Sequence, residues 1–245
     1  MRQLVITLAT ILLFVGCKKE EPLDPKPGAP GLNFSINHLW QDEDIVLNNE
    51  FYITPGKDSV RFVKVAYLLS QFKLKTTAGN WVEIPESFAY VNLQKGITSF
   101  SFDNIPQGSY AAIAFMIGLD SAVNTSNPNQ YPPDHPLNPI YNGMHWDWNQ
   151  GYIFYSMEGF YYVPDEKTFS VHMAFINNQV HYELAQDFTY DGSTTINLDF
   201  DVQEVFQNPG NYVIPIDGDF THSNDELAAR ISDNLSTTFS INSIE

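Results

Sequence analysis

Cysteine occurs once in this chain, at position 17. A single thiol excludes an intrachain disulfide, and if that sulfur is spent elsewhere it also excludes thiolate metal sites and a cysteine nucleophile. Positive charge is scarce too: 12 Lys and Arg stand against 29 Asp and Glu, a net charge of −17. Such a surface repels nucleic acid and anionic headgroups and is compatible with cations, so nucleic acid is set aside as a partner. The enzyme signatures G-x-S-x-G, H-E-x-x-H, the P-loop and G-x-G-x-x-G are all missing. No pair of acids stands out for general acid–base work, although the carboxylates of a glycosidase need only meet in space. The chain reads as a binder rather than an enzyme. Apolar runs are short, and Leu4 to Val15, at the N-terminus, is too brief to span a bilayer as a permanent helix.

That run follows Arg2 and precedes Gly16-Cys17, the order of a cleaved export signal over residues 1–16. "LLFVGC" resembles a bacterial lipobox, which implies that Cys17 is lipidated and anchors the chain to a membrane. Lys18-Lys19-Glu20-Glu21 is similar to tags that route lipoproteins to the outer membrane, facing the periplasm or the cell surface. Removal of the signal takes away one base and no acid, so the mature chain is more acidic still. Residues 17–31, rich in proline and glycine ("EEPLDPKPGAPG"), read as an extended tether. Residues 32–245 then form one domain.

Within it, hydrophobic alternation has period 2 almost throughout. "LNFSINHLW" places Leu32, Phe34, Ile36, His38 and Trp40 on one face. "TTINLDFDV" places Ile196, Leu198, Phe200 and Val202 inward and Asn197, Asp199 and Asp201 outward. "DSVRFVKVAYLLSQFKL", "FAYVNL", "GYIFYSMEGFYY", "TFSVHMAFI" and "STTFSIN" add strands, and "VHYEL" is expected to pair with "TFSVHMAFI". "SFSFDNIPQGSYAAIAFMIGLD" reads as a hairpin around Pro-Gln-Gly. The proline- and asparagine-rich residues 121–143 read as a long loop. "THSNDELAARISDNL" reads as a short helix capped by Ser223 or Asn224. The expected fold is all-β, a single antiparallel β-sandwich with a short C-terminal helix.

The histidines separate by face. His181 and His135 read as surface and solvated residues. His38 continues an inward apolar face, as a core histidine or a ligand. His172 shares its face with the small residues Ser170 and Ala174, which leaves room beside it. His222 precedes the capped helix, where it could cap, pair with an acid or ligate. "DGDFTHSNDE" offers oxygen ligands but lacks the glycine and terminal glutamate of an EF-hand loop. Two neutral imidazoles meeting in a thiol-free compartment would suit copper or zinc, and a methionine would favour Cu(I). "NGMHWDWNQGYIF" sets Met144, His145, Trp146 and Trp148 among turn formers. In an extended segment Met144, Trp146 and Trp148 share a face, as a lid over a metal or as a plug closing the core.

"GMHWDWNQGYIF" resembles the G-M-x-W-x-W-x-x-G-Y-x-F signature of the methanobactin-associated copper-binding (MbnP-like) family. "VAYLLSQFKL" and "IPQGSYAAIAFMIGLDSAVN" resemble further blocks of that family in the same order, with Leu68 and Gln71 departing from its pattern. "FSVHMAF" resembles its histidine strand, with Ala174 and Phe175 in place of a glycine-rich step. The resemblance implies a secreted or lipid-anchored copper binder, with Cu(I) favoured. It implies His172 as a ligand, His38 and His222 as candidates, and Trp146 or Trp148 as a tryptophan oxidised to kynurenine by a di-haem peroxidase-like partner. Trp40, beside His38, is a rival. The contrasting expectation is a glycan- or peptide-binding surface lipoprotein that uses exposed aromatic residues. Exposure of the tryptophans separates the two.

Overall fold

The computed structural model describes residues 30–146 and 151–245. The signal, Cys17 and the tether up to Ala29 lie outside the described residues, as do Asp147, Trp148, Asn149 and Gln150. Thirteen strands follow in chain order: β1 Gly31–Trp40, β2 Glu43–Asp44, β3 Tyr52–Ile53, β4 Ser59–Thr76, β5 Trp81–Glu83, β6 Phe88–Asn92, β7 Ser99–Phe102, β8 Gly108–Ile117, β9 Ile153–Tyr162, β10 Glu166–Ala174, β11 Val180–Tyr190, β12 Ser193–Asp201 and β13 Phe239–Ile244. Among the described residues four α-helices, α1 Ser121–Asn124, α2 Pro139–Asn142, α3 Ile214–Asp217 and α4 Asp225–Leu235, sit in the connections. Among the described residues no helix is long and apolar enough to cross a membrane.

The strands form two sheets. One runs β13-β12-β1-β2, with β7 also on β1; the other runs β10-β9-β4-β8-β11, with β3, β5 and β6 pairing other stretches of the long β4. The fold is an all-β sandwich. Its pairs are antiparallel apart from β1 with β12, which run parallel from Gly31↔Ser193 to Leu39↔Asp201. Alternation explains the layers. Leu32, Phe34, Ile36 and Trp40 on β1 and Ile196, Leu198 and Phe200 on β12 are all buried. Opposite them, Tyr67, Phe72 and Tyr155 project from the second sheet. Phe200 lies 5.0 Å from the Tyr67 ring and 4.9 Å from Phe239, so aromatic rings fill the space between the layers. On the outer face, Asp199 accepts hydrogen bonds from Asn37 and Asn242.

Two expected pairings differ. β7 and β8 are not a hairpin: β7 lies on β1 and β8 on β4, so the Pro-Gln-Gly segment carries the chain from one sheet to the other. Phe100 and Phe102 stack against Phe34 and Phe72 between the layers, which favours a sheet change over a return. β10 and β11 also stand apart, at opposite edges of the larger sheet; β11 pairs with β8, Val180 opposite Ile117. Alternation decides the face a residue takes, and leaves open which strand lies beside it. The proline-rich loop holds α1 and α2, and the capped helix is α4, with Asn224 accepting from the Leu227 N–H at 3.1 Å.

Candidate metal centre

The block from Asn142 onward folds back on itself as a clasp. Asn138 caps α2 through the Ile140 N–H, and Gly143 closes the helix with φ 62°. The Met144 carbonyl then accepts from the Ile153 N–H at 2.7 Å, and His145 bridges Tyr152. Gly151 has φ 74°, and a Cβ there would stand 2.6 Å from the Asn124 side chain, whose Oδ1 holds the Tyr152 N–H at 2.9 Å. Both signature glycines are therefore conformational requirements. Met144 and Tyr152 are buried in the core, while Trp146 is only half-buried. The segment from Met144 to Tyr152 is thus a plug at its methionine and tyrosine and a cover at Trp146. Trp148 lies outside the described residues.

What Trp146 covers is the outer face of β10, an edge strand. Its ring lies 6.2 Å from the His172 ring, 5.9 Å from His222 and 6.4 Å from Phe175. The register explains why His172 points outward: it pairs with Ser156, which pairs with Ala66, whereas Met173 pairs with Tyr155, which pairs with Tyr67. The first row is the outer face and the second faces the core. His222 arrives on a short segment laid along β10. The Ser170 N–H donates to the Asp219 carbonyl at 2.8 Å, and Phe220 bridges Ser170. The Thr221 hydroxyl accepts from the His172 N–H at 2.8 Å and donates to the His172 carbonyl at 2.7 Å. His222 then emerges, exposed, beside Trp146.

Beneath His172 lies a polar network. Its Nε2 is 2.9 Å from Glu158 Oε1 and 3.1 Å from Ser170 Oγ. The same Glu158 oxygen accepts from Lys64 Nζ at 2.9 Å and from Ser156 Oγ at 3.0 Å. The hydrogen bond with His172, and then Lys64 and Ser156, hold the Glu158 carboxyl down to about 2 against the opposing effect of burial. None of the sequence patterns above singles out Glu158, although it is the sole charged residue in the largely buried strand β9, a position that requires a partner. Thr221 and Lys64 carried no such signal. Phe175 adopts φ 69°; the glycine-rich step of the resembled family would take that conformation without strain.

His38 is a correction. It does not meet His172. It sits in the core on the other side of the larger sheet, with Nε2 2.9 Å from the Tyr67 hydroxyl and its ring 5.6 Å from Phe200. Burial lowers its pKa to about 4; the Ile36 backbone offsets this only in part, and Nδ1 has no hydrogen-bond partner of good geometry. Trp40, the rival tryptophan, is buried among Tyr52, Phe62 and Phe206. His181 is exposed, as expected. His135 is not simply solvated: it stacks on Tyr131 at 4.5 Å and accepts from the Leu137 N–H.

Among the described residues no three His, Cys, Asp or Glu side chains are gathered to hold a metal ion. The site offers two imidazoles and an indole. A neutral His172 whose Nε2 faces a carboxylate must carry its proton there, which leaves the Nδ1 lone pair for a Lewis acid. The indole of Trp146 has no such lone pair and can only donate its N–H. The donor set therefore fits a soft, low-coordinate cation better than one that demands oxygen ligands.

The fold is similar to that of the solved MbnP from Methylosinus trichosporium. The match has a TM-score of 0.55 and 17% identity, and covers 79% of this chain and 81% of that one. No curated protein matches the chain. The MbnP family model matches residues 29–221, a span that includes β1, the clasp, β10 and Thr221. The chain belongs to the MbnP family.

Proposed function

We propose that this chain is a membrane-anchored, extracytoplasmic Cu(I)-binding protein, with His172 and His222 as ligands beneath Trp146. The observation that carries the reading is the meeting of both histidine rings with one half-buried indole, from three segments far apart in sequence. Family membership and the resemblance of the signature block to copper-binding relatives support it. Two neutral imidazoles in a thiol-free site suit Cu(I). Oxidative opening of the Trp146 indole to kynurenine, by a di-haem peroxidase-like partner, would provide a ketone and an aniline where the indole has no donor atom. His38 has a structural role in the core in this reading, and the chain binds copper without catalysing a reaction. A lipid on Cys17 would hold it at the outer membrane.

The glycan- or peptide-binding alternative needs an open stacking platform. Trp40 is buried, Trp146 is half-buried, and Trp81 lies under Lys73 and Lys75, at 4.8 and 5.2 Å from its ring. None of these three favours that alternative. The test is an anaerobic competition titration with a chromophoric Cu(I) chelator, together with peptide mapping of protein from its native host. His172→Ala and His222→Ala are each expected to weaken Cu(I) binding at least tenfold, with Zn²⁺ binding more weakly than Cu(I) throughout. Mapping should find the oxidised residue at Trp146. Unchanged affinity in both variants would refute the site. Unmodified tryptophan in native protein with full affinity would refute the kynurenine step alone.

A further inference from the structure

We propose that Glu158 is a positioning residue of this site: it fixes the proton of His172 on Nε2 and thereby makes Nδ1 the nitrogen that receives the metal ion. The inference rests on the copper reading above for its metal step only. Its geometric basis is independent of any metal. A carboxylate can only accept hydrogen bonds, so the ring nitrogen 2.9 Å from Glu158 Oε1 must be the donor. A neutral imidazole has one N–H, so its other nitrogen keeps the lone pair.

Glu158 is built to hold that orientation. It lies on β9, paired to Ser170 on β10 and to Lys64 on β4, so three neighbouring strands fix its place on the outer face. Lys64 Nζ and Ser156 Oγ donate to the same oxygen, which keeps the carboxylate charged and pointed at His172. Ser170 Oγ, at 3.1 Å from Nε2, crowds that nitrogen further. A metal ion approaching Nε2 would have to break this cluster. Nδ1 makes no hydrogen bond among the described residues and is free of that cost. A charged residue in a largely buried strand, with three partners converging on one oxygen, is more than a surface ion pair needs.

The test is ¹⁵N NMR of histidine-labelled protein, metal-free and then loaded with diamagnetic Cu(I). In metal-free protein the His172 proton should reside on Nε2, and Cu(I) should shift Nδ1 while the Nε2 proton stays. Glu158→Ala should let the Ser170 hydroxyl donate to Nε2, so that a population with the proton on Nδ1 emerges, and should weaken Cu(I) binding by roughly 10–100-fold. Glu158→Gln retains an acceptor oxygen and should recover most of that loss. If the alanine variant does not fold, the wild-type nitrogen shifts decide alone. A proton on Nδ1 in the metal-free protein, or a Cu(I) shift at Nε2, overturns the proposal. If the proton is on Nε2 but Cu(I) moves neither nitrogen, the copper reading fails and the hold of Glu158 on the ring stands.

Discussion

His38 and His172 present the same ring to opposite surroundings. His172 stands on an outer face with a carboxylate, three hydroxyls and a lysine around it. His38 is enclosed by Tyr67 and Phe200, and burial lowers its pKa from 6.5 to about 4. That difference has a sign. Between pH 6.5 and 4 the unfolded chain takes up a proton at His38 that the folded chain refuses. Stability is therefore lost as pH falls, by about 3 kcal/mol once the pH is below 4. Urea unfolding of wild type and His38→Gln at pH 7.5 and 4 should show the wild type losing about that much relative to the variant, the titrating carboxylates being common to both. Parallel losses would contradict the assignment. At this scale the sequence showed which face His38 and His172 take, because alternation dictates it. It could not show that His38 and His172 lie on opposite sides of one sheet, since that depends on how β4 is inserted between β9 and β8. Glu158 was legible in principle, as a charge in an apolar strand, whereas the convergence of Lys64 and Ser156 on it depends on register.

Among the elements, the segment 219–222 matters most to the site. It is too short to read as a strand, yet it brings His222 to Trp146 by closing on β10. Thr221 fastens it, with one hydroxyl engaging both the N–H and the carbonyl of His172. Thr221→Val retains the volume and removes both bonds, leaving two backbone groups unpaired at a local cost of about 1–3 kcal/mol. Hydrogen exchange should quicken at His172 and across residues 219–223, Cu(I) affinity should fall, and the unfolding temperature should drop by several degrees. Unaltered exchange there would show that the segment is held by something else. The positions of the longer strands and the C-terminal helix, with its cap at Ser223 or Asn224, were legible, since period and capping chemistry are local; the short strands β2, β3 and β5 carry too few residues to show a period. Partners were not: β7 and β8 separate into two sheets, and β10 and β11 go to opposite edges, because inter-layer packing of Phe100 and Phe102 and the length of β4 are non-local.

For the whole molecule, the count of alternating strands was enough to indicate a sandwich, and the aromatic layer around Phe200 explains its closure. The parallel pairing of β1 with β12 was beyond reach, since a span from Trp40 to Ser193 separates them. Attachment belongs to this scale too. Cys17→Ser should move the chain from the membrane fraction to the soluble extracytoplasmic fraction, with its Cu(I) affinity intact; an unchanged membrane fraction would contradict lipid anchoring. The central claim is the copper position, and it is tested most directly by anomalous diffraction at the copper edge from crystals loaded with Cu(I) under anaerobic conditions. The account predicts one strong peak beside His172 Nδ1 and His222, under the ring of residue 146. A peak at His38 or among surface carboxylates, with none at His172, would contradict it.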